Sequence, residues 1–241
     1  GLAPRIERAL VNDCFACRKG KGSLAAAKRS QAMLSRFPWY VQVDVRSYFA
    51  SIDHGILLEH LARLFRCPRL LALLARMLEA YSHQAGKGLP IGALTSQWFA
   101  NLYLAPFDRY LQGQEHTLGM VRYMDDVVWW VRGDRRTSLV EARTWIHDRL
   151  GLELHRERIQ RSRSGLTLVG YRVFADHLGL TSRRKRRYRM ARRRWEQAFE
   201  AGWIDSAQLQ ARGDAALAIC AHTRSRSFRR ADLLRRPAVD A

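Results

Sequence analysis

Lysine, cysteine, proline and acid are all scarce in this chain. Only five of its 42 basic residues are lysines (Lys19, Lys21, Lys28, Lys87 and Lys185), and the rest are arginines. Arginine forks onto phosphate and stacks on planar groups, so the bias suits a polyanionic partner. Four cysteines in 241 residues do not make a disulfide framework. A reduced, cytoplasmic protein is the expectation. Cys14-Phe15-Ala16-Cys17 has the spacing of half a zinc knuckle, but Cys67 and Cys220 stand alone and the eight histidines show no ligand spacing. Structural zinc is therefore not expected. No apolar run approaches the roughly 18–20 residues that span a bilayer, so no membrane partner is expected. The start, Gly1-Leu2-Ala3-Pro4, lacks a charged segment followed by an apolar stretch, which argues against a signal peptide.

Acid is outnumbered, 22 residues against 42, leaving a net charge of +20. With 47% hydrophobic residues the chain can bury a core, so the excess charge lies on a folded surface. Such a surface attracts a polyanion, of which nucleic acid is the commonest. Residues 181–241 carry 16 basic and 6 acidic residues, half of the whole excess. The change in composition places a lobe boundary near 176–181.

Residues 23–36 read as an Ala-rich helix with Ser23 as N-cap, stopped by Pro38. Trp39–Val45 alternates β-branched and aromatic residues as a strand does. Ile56–Phe65 and Leu70–Tyr81 have helical periodicity. Gly86–Gly92 is a loop, and Thr95–Gln112 a long helix bent near Pro106. Met120–Tyr123 and Val127–Val131 flank Met124-Asp125-Asp126 as a hairpin with carboxylates at its tip. Thr137–Leu150 is helical; Leu152–His155, Arg158–Arg161 and Leu166–Phe174 offer further strand; from Thr181 the chain is helical. Trp39, Trp98, Trp129, Trp130 and Trp145 are expected in the core. The order of elements predicts an α+β fold, an antiparallel sheet of the ferredoxin-like kind backed by helices.

Three aspartates each stand beside a β run: Asp44 in Val43-Asp44-Val45, and Asp125 with Asp126 in Tyr123-Met124-Asp125-Asp126. Acids within apolar strands are costly unless paired or bound to a cation. Where the two segments lie side by side, three carboxylates converge, and their repulsion calls for a hard ion such as Mg²⁺. Two such ions clamp the attacking and leaving oxygens of a phosphoryl transfer. The doublet alone reads equally well as turn chemistry, since Asp favours turns. That reading leaves Asp44 unexplained.

These residues resemble the bacterial reverse transcriptases of group II introns, retrons and diversity-generating retroelements. Asp44-Val45-Arg46-Ser47-Tyr48-Phe49-Ala50-Ser51-Ile52-Asp53 looks like the first catalytic block, and Tyr123-Met124-Asp125-Asp126 like the second. Gly88-Leu89-Pro90-Ile91-Gly92-Ala93-Leu94-Thr95-Ser96-Gln97 resembles the block against the incoming nucleotide, and Leu168-Val169-Gly170-Tyr171 the primer-gripping hairpin. Phe15-Ala16-Cys17-Arg18-Lys19-Gly20-Lys21-Gly22-Ser23 is similar to the block preceding the palm. The resemblance implies partial fingers (1–38), a palm (39–176) and a helical basic thumb (177–241), and an RNA-directed DNA polymerase using two Mg²⁺ ions. It makes Asp44, Asp125 and Asp126 catalytic, with the Val45 carbonyl completing one metal shell. Ser47, Tyr48, Phe49, Ile91, Gly92 and Gln97 would meet the dNTP. Phe49 takes the place of an aromatic gate that excludes a 2′-hydroxyl. The implied partners are an RNA template, a DNA or RNA primer, dNTPs and a small accessory protein.

Ile91 stands where many relatives carry Gln, which looks most like the diversity-generating group. Losing that amide weakens discrimination between base pairs, so low fidelity is expected. The later block in which relatives often have Lys reads His155-Arg156-Glu157-Arg158, and Arg is a poorer proton donor. The family's upstream fingers hairpin has no counterpart in these 241 residues.

Nine of the twelve residues 183–194 are basic: Arg183, Arg184, Lys185, Arg186, Arg187, Arg189, Arg192, Arg193 and Arg194. Like charges at i,i+4 destabilise a bare helix, and a phosphate backbone would relieve them. Gly170 and Tyr171 are expected beside the primer, and Arg18, Lys19 and Lys21 on template phosphate ahead of a helix. Two other readings stand beside the leading one. An RNA-copying RNA polymerase usually has another Asp where Phe49 stands, and a catalytically idle RNA-binding protein on the same fold would not need all three aspartates.

Overall fold

Alternation in Trp39–Val45 yields strand β1, whose odd positions Val41, Val43 and Val45 enter the main core. The structure is a computed structural model describing residues 2–81 and 84–237. Two helices precede this strand, α1 (Leu2–Ala9) and α2 (Ser23–Arg36). Gly22, at φ 112°, takes the N-cap position expected for Ser23, which becomes the first helical residue and makes no capping bond. Only glycine adopts that backbone conformation without strain, so the cap moves one residue back.

After β1 come α3 (Tyr48–Ser51), α4 (His54–Leu64), α5 (Pro68–Ala80) and α6 (Leu94–Gly113). Pro68 opens α5 at a position where its missing N–H costs nothing. The hairpin follows as β2 (Thr117–Tyr123) and β3 (Asp126–Val131), then α7 (Arg135–Leu150) and β4 (Leu154–Arg161). The four strands form one antiparallel sheet in the order β2-β3-β1-β4. Val41 pairs with Trp129 and Val43 with Val127, and these residues share the core with Phe99, Tyr103, Phe107 and Ile146 of α6 and α7. On the opposite parity Tyr40 pairs with Trp130, and α2 packs on β2 so closely that a Cβ on Gly119 would lie 2.7 Å from Met33 Sδ.

The two short runs expected at 152–155 and 158–161 are one strand with a bulge. Gln42 pairs with Arg158 but Asp44 with His155, so β4 carries one residue more than β1 over this stretch. Arg156, with φ 51°, absorbs it. Trp129 and Trp130 are fully buried and Trp98 and Trp145 pack against the core, as expected. Trp39 is not a core residue: it is half-buried, with guanidinium groups against its ring.

The chain divides into two units, Gly1–Ser162 and Arg163–Ala241. The second holds a three-stranded antiparallel sheet, β5 (Leu166–Leu168), β6 (Tyr171–Val173) and β7 (Leu178–Leu180), then α8 (Ser182–Glu200), α9 (Ser206–Ala218) and α10 (Arg226–Arg235). Thr181 caps α8, and Asp205 with Gln208 forms a capping box on α9. The break expected near 176–181 falls inside this unit. Leu180 of β7 shares a small core with Tyr188 of α8, so sheet and helices hold together and the unit begins at Arg163. No helix among the described residues is long and apolar enough to cross a membrane.

Candidate active site

The strand register brings the aspartates together. Val43 pairs with Val127, so continuing by one residue sets Asp126 opposite Asp44 on the face away from the main core. Asp125 occupies the second position of the two-residue turn between β2 and β3. Burial, then the charges of Asp44 and Asp125, push the Asp126 carboxyl up to about 7, with Arg156 and Arg158 pulling the other way. Burial and Asp44 also raise Asp125, against the pull of Arg122. Such a set is one negative charge too dense to sit ionised without a cation.

Hard oxygen donors under mutual repulsion fit a divalent ion of the Mg²⁺ type. Among the described residues, no three His, Cys, Asp or Glu side chains already stand as a finished metal cage. The Arg156 guanidinium lies 3.6 Å from Asp44 Oδ2, carried there by the bulge in β4.

The turn that carries Asp125 is under tension. Met124 has φ 57°, a conformation that in two-residue hairpin turns usually falls to glycine. It is held from below by Arg122, which is fully buried. Arg122 Nη1 donates to the Met124 carbonyl at 3.0 Å, and Nε and Nη2 donate to the Asp108 carboxylate at 2.7 and 2.8 Å. Asn101 accepts through Oδ1 and its carbonyl, while its own amide donates to the Ala16 carbonyl. Cys14 Sγ donates to the same Oδ1 at 3.4 Å. Burial pulls the Arg122 guanidinium down, but Asp108 outweighs it and keeps the group charged. Asp108 itself is pushed up by burial and pulled back by Arg122. Neither Arg122 nor Asp108 was anticipated as a site residue. One signal existed: Arg122 has the parity of Met120, which enters the core, so alternation alone turned its side chain inward.

A cavity of about 760 Å³ opens beside Asp125, lined by Ser47, Tyr48, Phe49, Ala50, Tyr81, Leu89, Pro90, Ile91 and Asp125. Its far wall is the glycine-rich loop, bonded along 49–54 as an improvised strand. Leu89 N donates to the Phe49 carbonyl at 2.8 Å, Gly88 N to Ile52 at 2.9 Å, and His54 N to Gly86 at 2.9 Å. Four expected nucleotide contacts, Ser47, Tyr48, Phe49 and Ile91, therefore share one cavity, while Gly92 and Gln97 are not among its lining residues. The Tyr48 hydroxyl is turned inward to the Ala100 carbonyl, so this residue offers its backbone rather than its phenol. Ile91 is 90% exposed, an apolar side chain with no core to fill.

The expected phosphate contacts are divided. Arg18 Nη1 donates to the Val11 and Cys14 carbonyls, and Lys21 Nζ to Asn12, so both bind their own segment; Lys19 is exposed. In the second unit Arg183, Arg184, Arg186, Arg187 and Arg194 line a cavity of about 690 Å³ together with Gly170. Arg189 and Arg192 turn instead to Asp232 and Glu196 in part-buried ion pairs. Lys185 lies over Phe228, and Arg193 is exposed. Tyr171 is buried beneath the Arg184 guanidinium, 4.0 Å from its ring centre. The hairpin tip Val169-Gly170 has positive φ at both residues, the signature of a type I′ turn.

Residues 4–173 match the family described as reverse transcriptase (RNA-dependent DNA polymerase). Protein YkfC of Escherichia coli is 27% identical over 46% of this chain and 31% of its own length. A putative COX1/OXI3 intron 2 protein of Saccharomyces cerevisiae is 21% identical over 64% of this chain and 25% of its own. The chain thus spans less than a third of these relatives. Among solved structures, the telomerase of Candida tropicalis in complex with the TWJ fragment of telomeric RNA superposes with a TM-score of 0.58 at 10% identity, over 99% of this chain and 47% of that one. The apo telomerase of the same species gives 0.55 at 11% identity over 75% and 40%. These likenesses establish a polymerase palm fold. By the extent of the family match, the chain belongs to the reverse transcriptase family.

Proposed function

We propose that this chain extends a primer on an RNA template with dNTPs. The observation that supports the reading is the register that sets Asp44 against Asp126, with Asp125 in the adjoining turn lining a cavity walled by Phe49 and Ile91. Residues 39–162 would form the palm, residues 163–241 the thumb, and the segment before β1 part of the fingers. Asp44 and Asp125, with the Val45 carbonyl, would hold Mg²⁺, and Asp126 would add the third carboxylate. Bound there, the ions would activate the primer hydroxyl and neutralise charge on the triphosphate. The protein's own part is to place these acids, to offer backbone N–H groups near Ser47 to phosphate, and to set the Phe49 ring where a ribose 2′-hydroxyl would need room. The cationic cavity at Gly170 and α8 suits the backbone of the primer–template.

Ile91 supports an error-prone enzyme of the diversity-generating kind. An exposed aliphatic side chain at the nucleotide cavity makes no hydrogen bond for a mispair to lose. Primer extension on an RNA template tests the function: the wild type incorporates dNTPs in preference to NTPs, and Asp125→Asn abolishes incorporation. Extension by Asp125→Asn at the wild-type rate would refute it. An equal preference for NTPs would point to RNA synthesis instead.

A further inference from the structure

The three aspartates lie at one end of the four-stranded sheet; the other end carries a concentration of arginine. Trp39 opens β1, five residues or about 17 Å from Asp44 at 3.3 Å per residue. It pairs in register with Arg161, the last residue of β4, and β3 ends beside it at Val131, followed by Arg132, Gly133, Asp134 and the start of α7. Topology therefore brings Arg36, Arg132, Arg135, Arg136 and Arg161, from separate parts of the chain, to the end of the sheet that carries Trp39.

Two of the five clasp that indole. The guanidinium carbons of Arg135 and Arg161 lie 4.6 and 4.9 Å from the Trp39 ring centre, which fixes two cations side by side. Arg36 stacks on Phe37 at 5.6 Å. Arg36, Arg132, Arg136 and Arg161 are exposed. Some arginines of this unit have acidic partners, Arg29 with Asp13, Arg46 with Glu153 and Arg143 with Glu157, and others have none; what marks these five is that they cluster at one end of the sheet. Among the described residues none of these five forms an ion pair within 4.0 Å. Asp134, the acid in the same turn, caps α7 through Arg136 N and Thr137 Oγ1 and is also held by the charge of Arg135, so one carboxylate stands against five guanidinium groups.

A cluster of like charge so thinly compensated destabilises its own fold unless an anion spans it. The partner can be narrowed by what the patch lacks. Protein interfaces carry an apolar centre and are depleted of charge there. None of the large exposed apolar side chains belongs to residues 36–39, 132–136 or 161. A surface of guanidinium groups whose one central ring, Trp39, is half-buried beneath two of them suits phosphates; Arg135 donates through Nη1 to the Gly133 carbonyl, and Arg161 is exposed. We propose that this end of the sheet is a second RNA-binding face, separate from the catalytic cavity, that holds single-stranded RNA by its backbone without reading sequence. Its role is retention: it keeps RNA on the protein beyond the few nucleotides at the reacting end.

Arginine-selective modification by phenylglyoxal, read by peptide mass spectrometry, tests the proposal on the intact chain without altering its fold. A saturating single-stranded RNA should protect Arg132, Arg136 and Arg161 from modification, in the wild type and in Asp125→Asn alike. The second arm separates this result from the polymerase reading, because protection there does not need catalysis. Equal modification with and without RNA would overturn the proposal, as would equal protection by polyglutamate, which would mark an acidic protein as the partner. In parallel, Arg132→Ala/Arg136→Ala/Arg161→Ala should lower the slope of log affinity against log salt by about 2, at roughly 0.7 per phosphate contact on a single strand. An unchanged slope would also overturn it. Arg132→Glu/Arg136→Glu, which spares both stacked arginines, provides the same test should removing Arg161 loosen Trp39.

Discussion

Arg122 offers the sharpest test of how the fold holds its reactive turn. Replacing it with Met keeps much of the volume but strands the Asp108 carboxylate at zero exposure and frees the Met124 carbonyl. Breaking one side of a buried pair costs about 3–5 kcal/mol. For a unit of this size each kcal/mol lowers Tm by about 2–4 °C, so Arg122→Met should melt some 6–20 °C below the wild type. Adding Asp108→Leu removes the stranded charge and should restore most of the loss, because an apolar pair can replace a buried ion pair at little cost. The restored double variant should nevertheless bind Mn²⁺ more weakly than the wild type. Its Met124, whose left-handed backbone costs about 1–3 kcal/mol, no longer has a donor holding the carbonyl. Thermal melts by circular dichroism and a Mn²⁺ titration read the two effects separately. A single variant within 1 kcal/mol of the wild type, or a double variant with full Mn²⁺ affinity, would refute the reasoning.

Asp126 makes ion-free stability depend on pH in the opposite sense to an ordinary salt-bridged acid. Its folded-state pKa, raised to about 7, means the native state holds the proton longer than the unfolded chain, so stability falls as pH rises from about 4 to 7. The contribution is bounded by about 4 kcal/mol, and Asp126→Asn should flatten it in urea melts at the two pH values. Phe49→Ala should reduce the preference for dNTPs over NTPs by about 10–100-fold in steady-state incorporation; an unchanged ratio would remove the ring from sugar selection. Ile91→Gln should lower misincorporation opposite template adenine, and equal error rates would exclude the residue from fidelity. Arg183→Ala/Arg186→Ala/Arg187→Ala should reduce the salt slope of nucleic-acid binding by about 2 through the α8 cavity, whereas no change would separate that cavity from nucleic acid.

Local chemistry was legible where it decided structure by itself. Alternation marked Trp39–Val45 to the residue, and Pro38 set a boundary because a ring without an N–H leaves few choices, whereas the helix expected from Leu70 begins two residues earlier with Pro68 in its first turn. The aspartates stood out because an acid within an apolar strand demands a reason. What escaped were features made by pairing. Nothing local to His155-Arg156-Glu157-Arg158 announces a bulge; it exists because β4 must match β1 on both sides of Asp44. The glycine-rich loop gave no sign that it would bond along 49–54 and wall the cavity. Asp108 lay unremarked within a long helix, since its partner is fourteen residues away in another element. Arg189 and Arg192 looked like their neighbours in a basic run, and only the fold of α10 against α8 turned them to Asp232.

Manganese binding measured by electron paramagnetic resonance, with a dNTP present, tests most directly whether the three carboxylates act as one site. The wild type should bind the ion and both Asp44→Asn and Asp125→Asn should lose it, although one residue lies on β1 and the other in the turn between β2 and β3. Undiminished binding in either variant would contradict a single site.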